Sequence, residues 1–123
     1  MTLPSKSITF KVQENEYTVN YPNNGQLIEI ESMKARLTGD SYNAISQGET
    51  TAAQFARFTV DMIAFFSTCC PNMKKQLNVA TFSELDALSS KKLLNVYIKT
   101  ILPWMMDWEK VLNTEDEIEE KKA

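Results

Sequence analysis

Apolar residues alternate with polar ones over Ile8-Phe10-Val12 and again over Tyr17-Val19-Tyr21, with polar Gln13-Glu14-Asn15-Glu16 between the runs. A period of two broken by a polar turn predicts an antiparallel hairpin with strands at residues 7–12 and 16–21. Those six apolar residues then share one face, and Thr9, Lys11, Thr18 and Asn20 share the other. Two strands are marginal alone in water, so the apolar face must lie against helices or join another chain's sheet. After Pro22-Asn23-Asn24-Gly25 the period lengthens to about 3.6 and stays there. Residues 1–6, carrying Pro4, are expected to be a loose arm.

The first predicted helix runs from near Gly25 to Leu37, with Leu27, Ile30, Met33 or Lys34, and Leu37 on one side, and Thr38-Gly39 stops it. Residues 40–49 are weakly periodic and read as a loop with at most one helical turn. Thr50 or Thr51 caps a central helix over residues 52–70, ended by Pro71. Its apolar positions, among them Phe55, Met62 and Phe66, cover most of the circumference, and Arg57 and Asp61 are spaced to pair. Thr81-Phe82-Ser83-Glu84 has capping-box spacing and opens a short helix through Leu88. Ser89 or Ser90 caps a last long helix to about Leu112, with a stripe of Leu94, Tyr97, Ile98, Ile101, Met105, Trp108 and Leu112. Pro103 lies inside it and predicts a kink or break. The fold class is therefore mainly α with a small N-terminal antiparallel β-hairpin (α+β), a compact helical bundle of about four helices. Residues 1–112 are read as one domain and residues 113–123 as an acidic, disordered tail.

Charge sharpens this division. The chain has 123 residues and a net charge of -3, and up to residue 112 basic and acidic residues are equal in number, so the whole net charge belongs to Glu115-Asp116-Glu117-Ile118-Glu119-Glu120-Lys121-Lys122. A nearly neutral body with no basic stripe argues against a nucleic-acid partner. No apolar run approaches the roughly 20 residues of a membrane span, and no signal pattern opens the chain, so membrane insertion and export are not expected. Adjacent Cys69 and Cys70 cannot easily reach disulfide geometry with each other and read as reduced, buried small hydrophobes, as in a cytoplasm.

The inventory of reactive groups predicts a protein that is not an enzyme. There is no histidine, which removes the commonest general base and zinc ligand, and the three glycines, at 25, 39 and 48, make no phosphate loop. Glu29 with Glu31, and Asp107 with Glu109, stand two apart and so on different sides of a helix; they read as solvated charge. The tail carboxylates lack a calcium loop's spacing. No catalytic residue, cofactor or metal ligand is therefore assigned. Recognition surfaces favour large aromatics and adaptable methionines, which makes Phe58, Phe65, Trp104, Met105, Met106 and Trp108 the candidate partner-binding residues.

Phe10 to Val12, Tyr17-Thr18-Val19, Tyr21-Pro22, Gly25-Gln26-Leu27-Ile28-Glu29-Ile30-Glu31, Met33-Lys34 and Leu37-Thr38-Gly39 together resemble the start of the small tail assembly chaperones of tailed bacteriophages. Asp61-Met62-Ile63-Ala64-Phe65-Phe66, Cys70-Pro71-Asn72 and Tyr97-Ile98-Lys99 through Leu102-Pro103-Trp104 are similar in order, so the resemblance covers residues 7–112. It implies a noncatalytic protein in the cytoplasm of the infected host that binds the apolar helices of the tape measure protein and helps recruit tail tube protein. Homo-oligomerisation by hairpin edges or helix faces would add avidity. The alternative is a structural component of a virion or other assembly that uses its hairpin edge for strand addition.

Overall fold

The computed structural model describes residues 3–122, with side chains to residue 114. It is a mainly helical α+β chain: an N-terminal hairpin of β1 (Ser7–Val12) and β2 (Asn15–Asn20) precedes α1 (Asn24–Thr38), α2 (Tyr42–Ser46), α3 (Thr51–Cys69) and α4 (Met73–Leu77). A 3-10 turn (Phe82–Glu84), α5 (Ala87–Val96), a π turn (Tyr97–Ile101) and α6 (Leu102–Lys122) complete it. The chain divides into two compact units, Met1–Tyr21 with Val96–Ala123, and Pro22–Asn95.

In the first unit the strands pair Ile8 with Val19 and Phe10 with Tyr17, which puts the apolar alternation on one face as expected. Phe10, Val12 and Val19 are buried, and the Phe10 and Tyr17 rings stack with centroids 5.9 Å apart. On the other face the Thr9 and Thr18 hydroxyls meet at 2.8 Å. The turn is tighter than the four polar residues suggest. Only Gln13 and Glu14 lie outside the ladder, at φ 50 and 70, the left-handed pair that a two-residue I′ turn requires. The arm is also less free than expected, because the Ser5 carbonyl accepts hydrogen bonds from the indole N–H groups of Trp104 and Trp108 at 2.7 and 2.9 Å.

Pro103 neither ends the last helix nor stands in an uninterrupted α-helix. The π turn just before it carries the Leu102 amide back to the Tyr97 carbonyl, a wider loop of chain that accommodates a residue unable to donate. The helix expected to stop near Leu112 continues to Lys122. No glycine or proline follows Pro103 to end it.

In the second unit, Asn23 and Gln26 form a capping box at the start of α1: the Asn23 side chain accepts from the Gln26 amide at 2.9 Å, and the Gln26 side chain accepts from the Asn23 amide at 3.0 Å. Gly39, at φ 58, ends the helix in the left-handed conformation. Thr50 caps α3 through the Ala53 amide, and Cys70 N–H still reaches the Phe66 carbonyl before Pro71 turns the chain. Residues 40–49 and 71–80 each hold one short helix, α2 and α4. The core contains Met62, Ala64, Phe65 and Phe66 of α3, with Ile30, Met73 and Phe82. Phe66 meets Phe65 edge to face at 5.5 Å and Phe82 at 6.2 Å. Of the apolar positions expected to cover most of the circumference of α3, Ala52 and Phe55 in its first half are exposed.

Between α2 and α3 the backbone passes so close that a Cβ on Gly48 would stand 2.5 Å from Ala53 Cβ and 3.3 Å from the Ile45 carbonyl oxygen. Neither neighbour is a flexible chain end, so Gly48→Ala is expected to lower stability by about 1–3 kcal/mol in urea unfolding. A neutral result would mean that the loop relaxes freely.

The second capping box is not formed. The Thr81 side chain makes no cap bond, the 3-10 turn stops at Glu84, and the Glu84 carboxylate accepts from the Ala80 amide at 3.3 Å instead. The next helix is capped by Asp86, and Ser89 or Ser90 are not its caps: the Asp86 carboxylate accepts from the Ser89 amide at 2.7 Å and its carbonyl takes the Ser90 amide. The Ser89 amide and hydroxyl hold the Asp86 carboxyl below its ordinary value. A carboxyl lowered by folding adds stability that is present above its unfolded pKa and is lost as pH falls through its folded one. The Ser89 amide resonance, followed by NMR, should therefore titrate below the ordinary aspartate range, and Asp86→Asn should remove that titration.

Candidate functional site

The six side chains singled out by sequence belong to different units. Phe58 and Phe65 are on α3 in the second; Trp104, Met105, Met106 and Trp108 are on α6 in the first. Phe65 is buried at 2% exposure and belongs to the core, while Phe58 is half-buried with the Arg57 guanidinium 4.4 Å from its ring centre. A cation over an aromatic face is attracted by the ring quadrupole, so Arg57 partly screens this ring. Arg57 makes no ion pair with Asp61, contrary to the i, i+4 expectation. Asp61 instead accepts a 2.6 Å hydrogen bond from the Tyr42 hydroxyl and lies 3.7 Å from Lys34 Nζ.

Ile101 at the end of the π turn and Trp104 and Val111 on α6 are buried, with Trp108 and Met105 half-buried and Met106 and Leu112 exposed. Trp104, placed off the main stripe by periodicity, is thus the buried tryptophan. Its indole meets Tyr21 edge to face at 5.7 Å, and Trp108 tilts against the same ring at 5.4 Å. Both indole N–H groups find an acceptor in the Ser5 carbonyl, which the buried Trp104 needs and the half-buried Trp108 shares. Burial, and secondarily Glu109, raise the Tyr21 hydroxyl's pKa. Met105 and Met106 remain as the adaptable side chains of this surface.

Sequence reasoning missed further exposed apolar residues, three of which, in the second unit, are at least half exposed. Ile28 of α1 is 70% exposed, Leu88 of α5 66%, and Phe55 of α3 50%. Ile28 and Leu88 lay outside every predicted stripe, which was the available signal; Phe55 lay on one and gave none.

Two polar features complete the second unit. Lys34 bridges Glu31 at 2.6 Å and Asp61 at 3.7 Å while standing 5.2 Å from the Tyr42 ring centre. Burial first, then the bond to Asp61, raise the Tyr42 hydroxyl's pKa, which opposes phenolate formation near neutral pH and suits a strut tying α2 to α3. A groove of about 330 Å³ opens among α1, α3, α4 and the 3-10 turn, with Met33, Leu37, Ile63 and Phe82 apolar and Arg36 and Lys74 cationic. Among the described residues no group of three His, Cys, Asp or Glu could hold a metal ion, and no helix is long and apolar enough to cross a membrane.

Cys69 and Cys70 are free thiols, and burial pushes Cys69 up to about 11, with Cys70 beside it adding to the shift. Because the thiolate is the reacting form, Cys69 in the native chain should react with a thiol reagent at pH 8 roughly a hundredfold more slowly than in the unfolded chain. Mass-spectrometric alkylation rates would check this. Comparison with protein-family models, with curated proteins and with solved structures finds no match.

Proposed function

We propose that this chain is a noncatalytic phage tail assembly chaperone, acting in the cytoplasm of the infected host by binding apolar helices of a tape measure protein and assisting tube assembly. The observation that carries the reading is that large apolar side chains are left in water on helices, Ile28, Phe55, Leu88 and Met106 among them. A protein that holds another's helices in solution needs such surface, spread so that it stays soluble itself. Buried Phe65 and Trp104 are removed from the contact set, and Met105, Met106, Phe58 and Trp108 are kept with the three newly found residues. The sequence resemblance over residues 7–112 supplies the class of client.

The test is co-expression with a tape measure protein from the same genome. The client should be soluble only when this chain is present, and Phe55→Glu with Met106→Glu should abolish that effect while leaving the circular dichroism spectrum unchanged. A client equally soluble without the chain ends the proposal. The structural-component reading rests on the hairpin, a two-stranded sheet among the described residues that strand addition would extend. Purified tails separate the two: a chaperone is absent from them, and a component is present in fixed ratio.

A further inference from the structure

The groove of the second unit is shaped and charged for a small molecule. Its apolar lining is recessed: Phe82 is buried and Met33 and Ile63 are half-buried, while Leu37, at 39% exposed, reaches a surface where Arg36, Thr81 and Ser83 make a polar rim. The far more exposed Ile28, Phe55 and Leu88 do not line it. A partner helix grips protruding side chains, whereas a floor set below a polar rim is reached by a slim chain. The volume, about 330 Å³, stands at the lower end of small-molecule sites. No carboxylate is among the lining residues, and of the two cations there Arg36 is engaged within its own helix, by Glu29 at 2.6 Å and the Ser32 hydroxyl at 2.9 Å. Lys74 is half-buried and makes no ion pair among the described residues. One open ammonium beside an apolar floor matches a ligand with one negative charge.

We propose that this groove binds a small organic monocarboxylate with a slim apolar body, its carboxylate on Lys74 and its body against Met33, Ile63 and Phe82. Ser67, also in the lining, supplies a hydroxyl donor for the second carboxylate oxygen. The inference goes beyond the client reading and does not rest on it.

Octanoate is the probe, titrated at pH 7 into the full-length chain with methyl-labelled methionines and followed by NMR. The Met33 methyl should shift saturably, with a Kd in the millimolar range or below, while the methyl of Met106, exposed on the other unit, stays in place. Acetate, a head without a body, and octanol, a body without a charged head, should each bind about fivefold more weakly or worse. Lys74→Gln should weaken octanoate about fivefold or more and leave octanol unchanged, and Lys74→Arg should restore octanoate. Leu37→Asp, at an exposed position, should weaken octanoate as well by setting a like charge at the mouth. Unchanged circular dichroism guards against misfolding. An unmoved Met33 methyl overturns the proposal, as does a shift shared equally by Met106, octanol binding as tightly as octanoate, or indifference to Lys74→Gln. An acidic, leucine-rich helical peptide that moves Met33 where octanoate does not would make the groove a protein-docking surface and likewise overturn it.

Discussion

Replacing Trp104 by alanine is expected to cost about 3–5 kcal/mol, the range for deleting a buried large aromatic side chain. The indole is 7% exposed, packs edge to face on Tyr21 and donates to the Ser5 carbonyl at 2.7 Å, so the substitution removes packing and a hydrogen bond together. Trp104→Phe separates the two contributions. It keeps most of the apolar contact and loses the donor, and should cost about 1–2 kcal/mol. Trp108 retains its own bond to Ser5 in both variants. Urea unfolding followed by circular dichroism would measure both losses, with a constant denaturant slope confirming that stability alone has changed. A loss below about 1 kcal/mol for the alanine variant would show that this indole is not a packing element.

Phe65→Ala should be about as damaging, again about 3–5 kcal/mol, because Phe65 is 2% exposed and contributes to an edge-to-face pair with Phe66 at 5.5 Å. The contrast with Met106→Ala makes this informative. Met106 is 47% exposed, so its truncation should change stability by no more than about 0.5 kcal/mol. If the proposed function holds, Met106→Ala weakens client binding in a fully folded chain, whereas Phe65→Ala lowers activity only through the amount of folded protein. Unfolding midpoints and client solubilisation, measured on the same two variants, give opposite orders of severity. Equal order in both assays would count against the assignment of Phe65 to the core and Met106 to the surface.

Much of the fold was legible because its signals were local. The alternation of Ile8, Phe10 and Val12 against Tyr17 and Val19 fixes the hairpin faces, since a one-residue slip would turn every apolar side chain outward. Gly39 and Thr50 act through backbone conformation and a single short hydrogen bond, and both were found where such residues belong. The failures have equally definite causes. Thr81 and Glu84 have the spacing of a cap, but Asp86 is the stronger acceptor nearby and takes the helix start for itself. Pro103 was read as a defect in an α-helix, whereas a π turn absorbs the missing donor.

The candidate site was less legible, because exposure depends on what lies opposite a side chain. Periodicity put Met105 on the inward stripe and Trp104 off it; the structure buries Trp104, whose indole donates to the Ser5 carbonyl 99 residues away in sequence. Nothing near Trp104 in sequence announces that acceptor. Phe55 had the spacing of a core residue, yet the half of α3 that carries it contains none of the helix's buried positions.

The first unit joins Met1–Tyr21 to Val96–Ala123, with Pro22–Asn95 between them in the chain. During translation its hairpin leaves the ribosome early, but the helix bearing Trp104 and Trp108 emerges only after some seventy further residues, a delay of roughly 4–15 s at ordinary elongation rates. For that interval the Ser5 carbonyl and the Tyr21 ring lack their indole partners while the intervening segment can already be folding. Nascent chains should therefore acquire protease resistance in two steps, the middle of the sequence first and its beginning last.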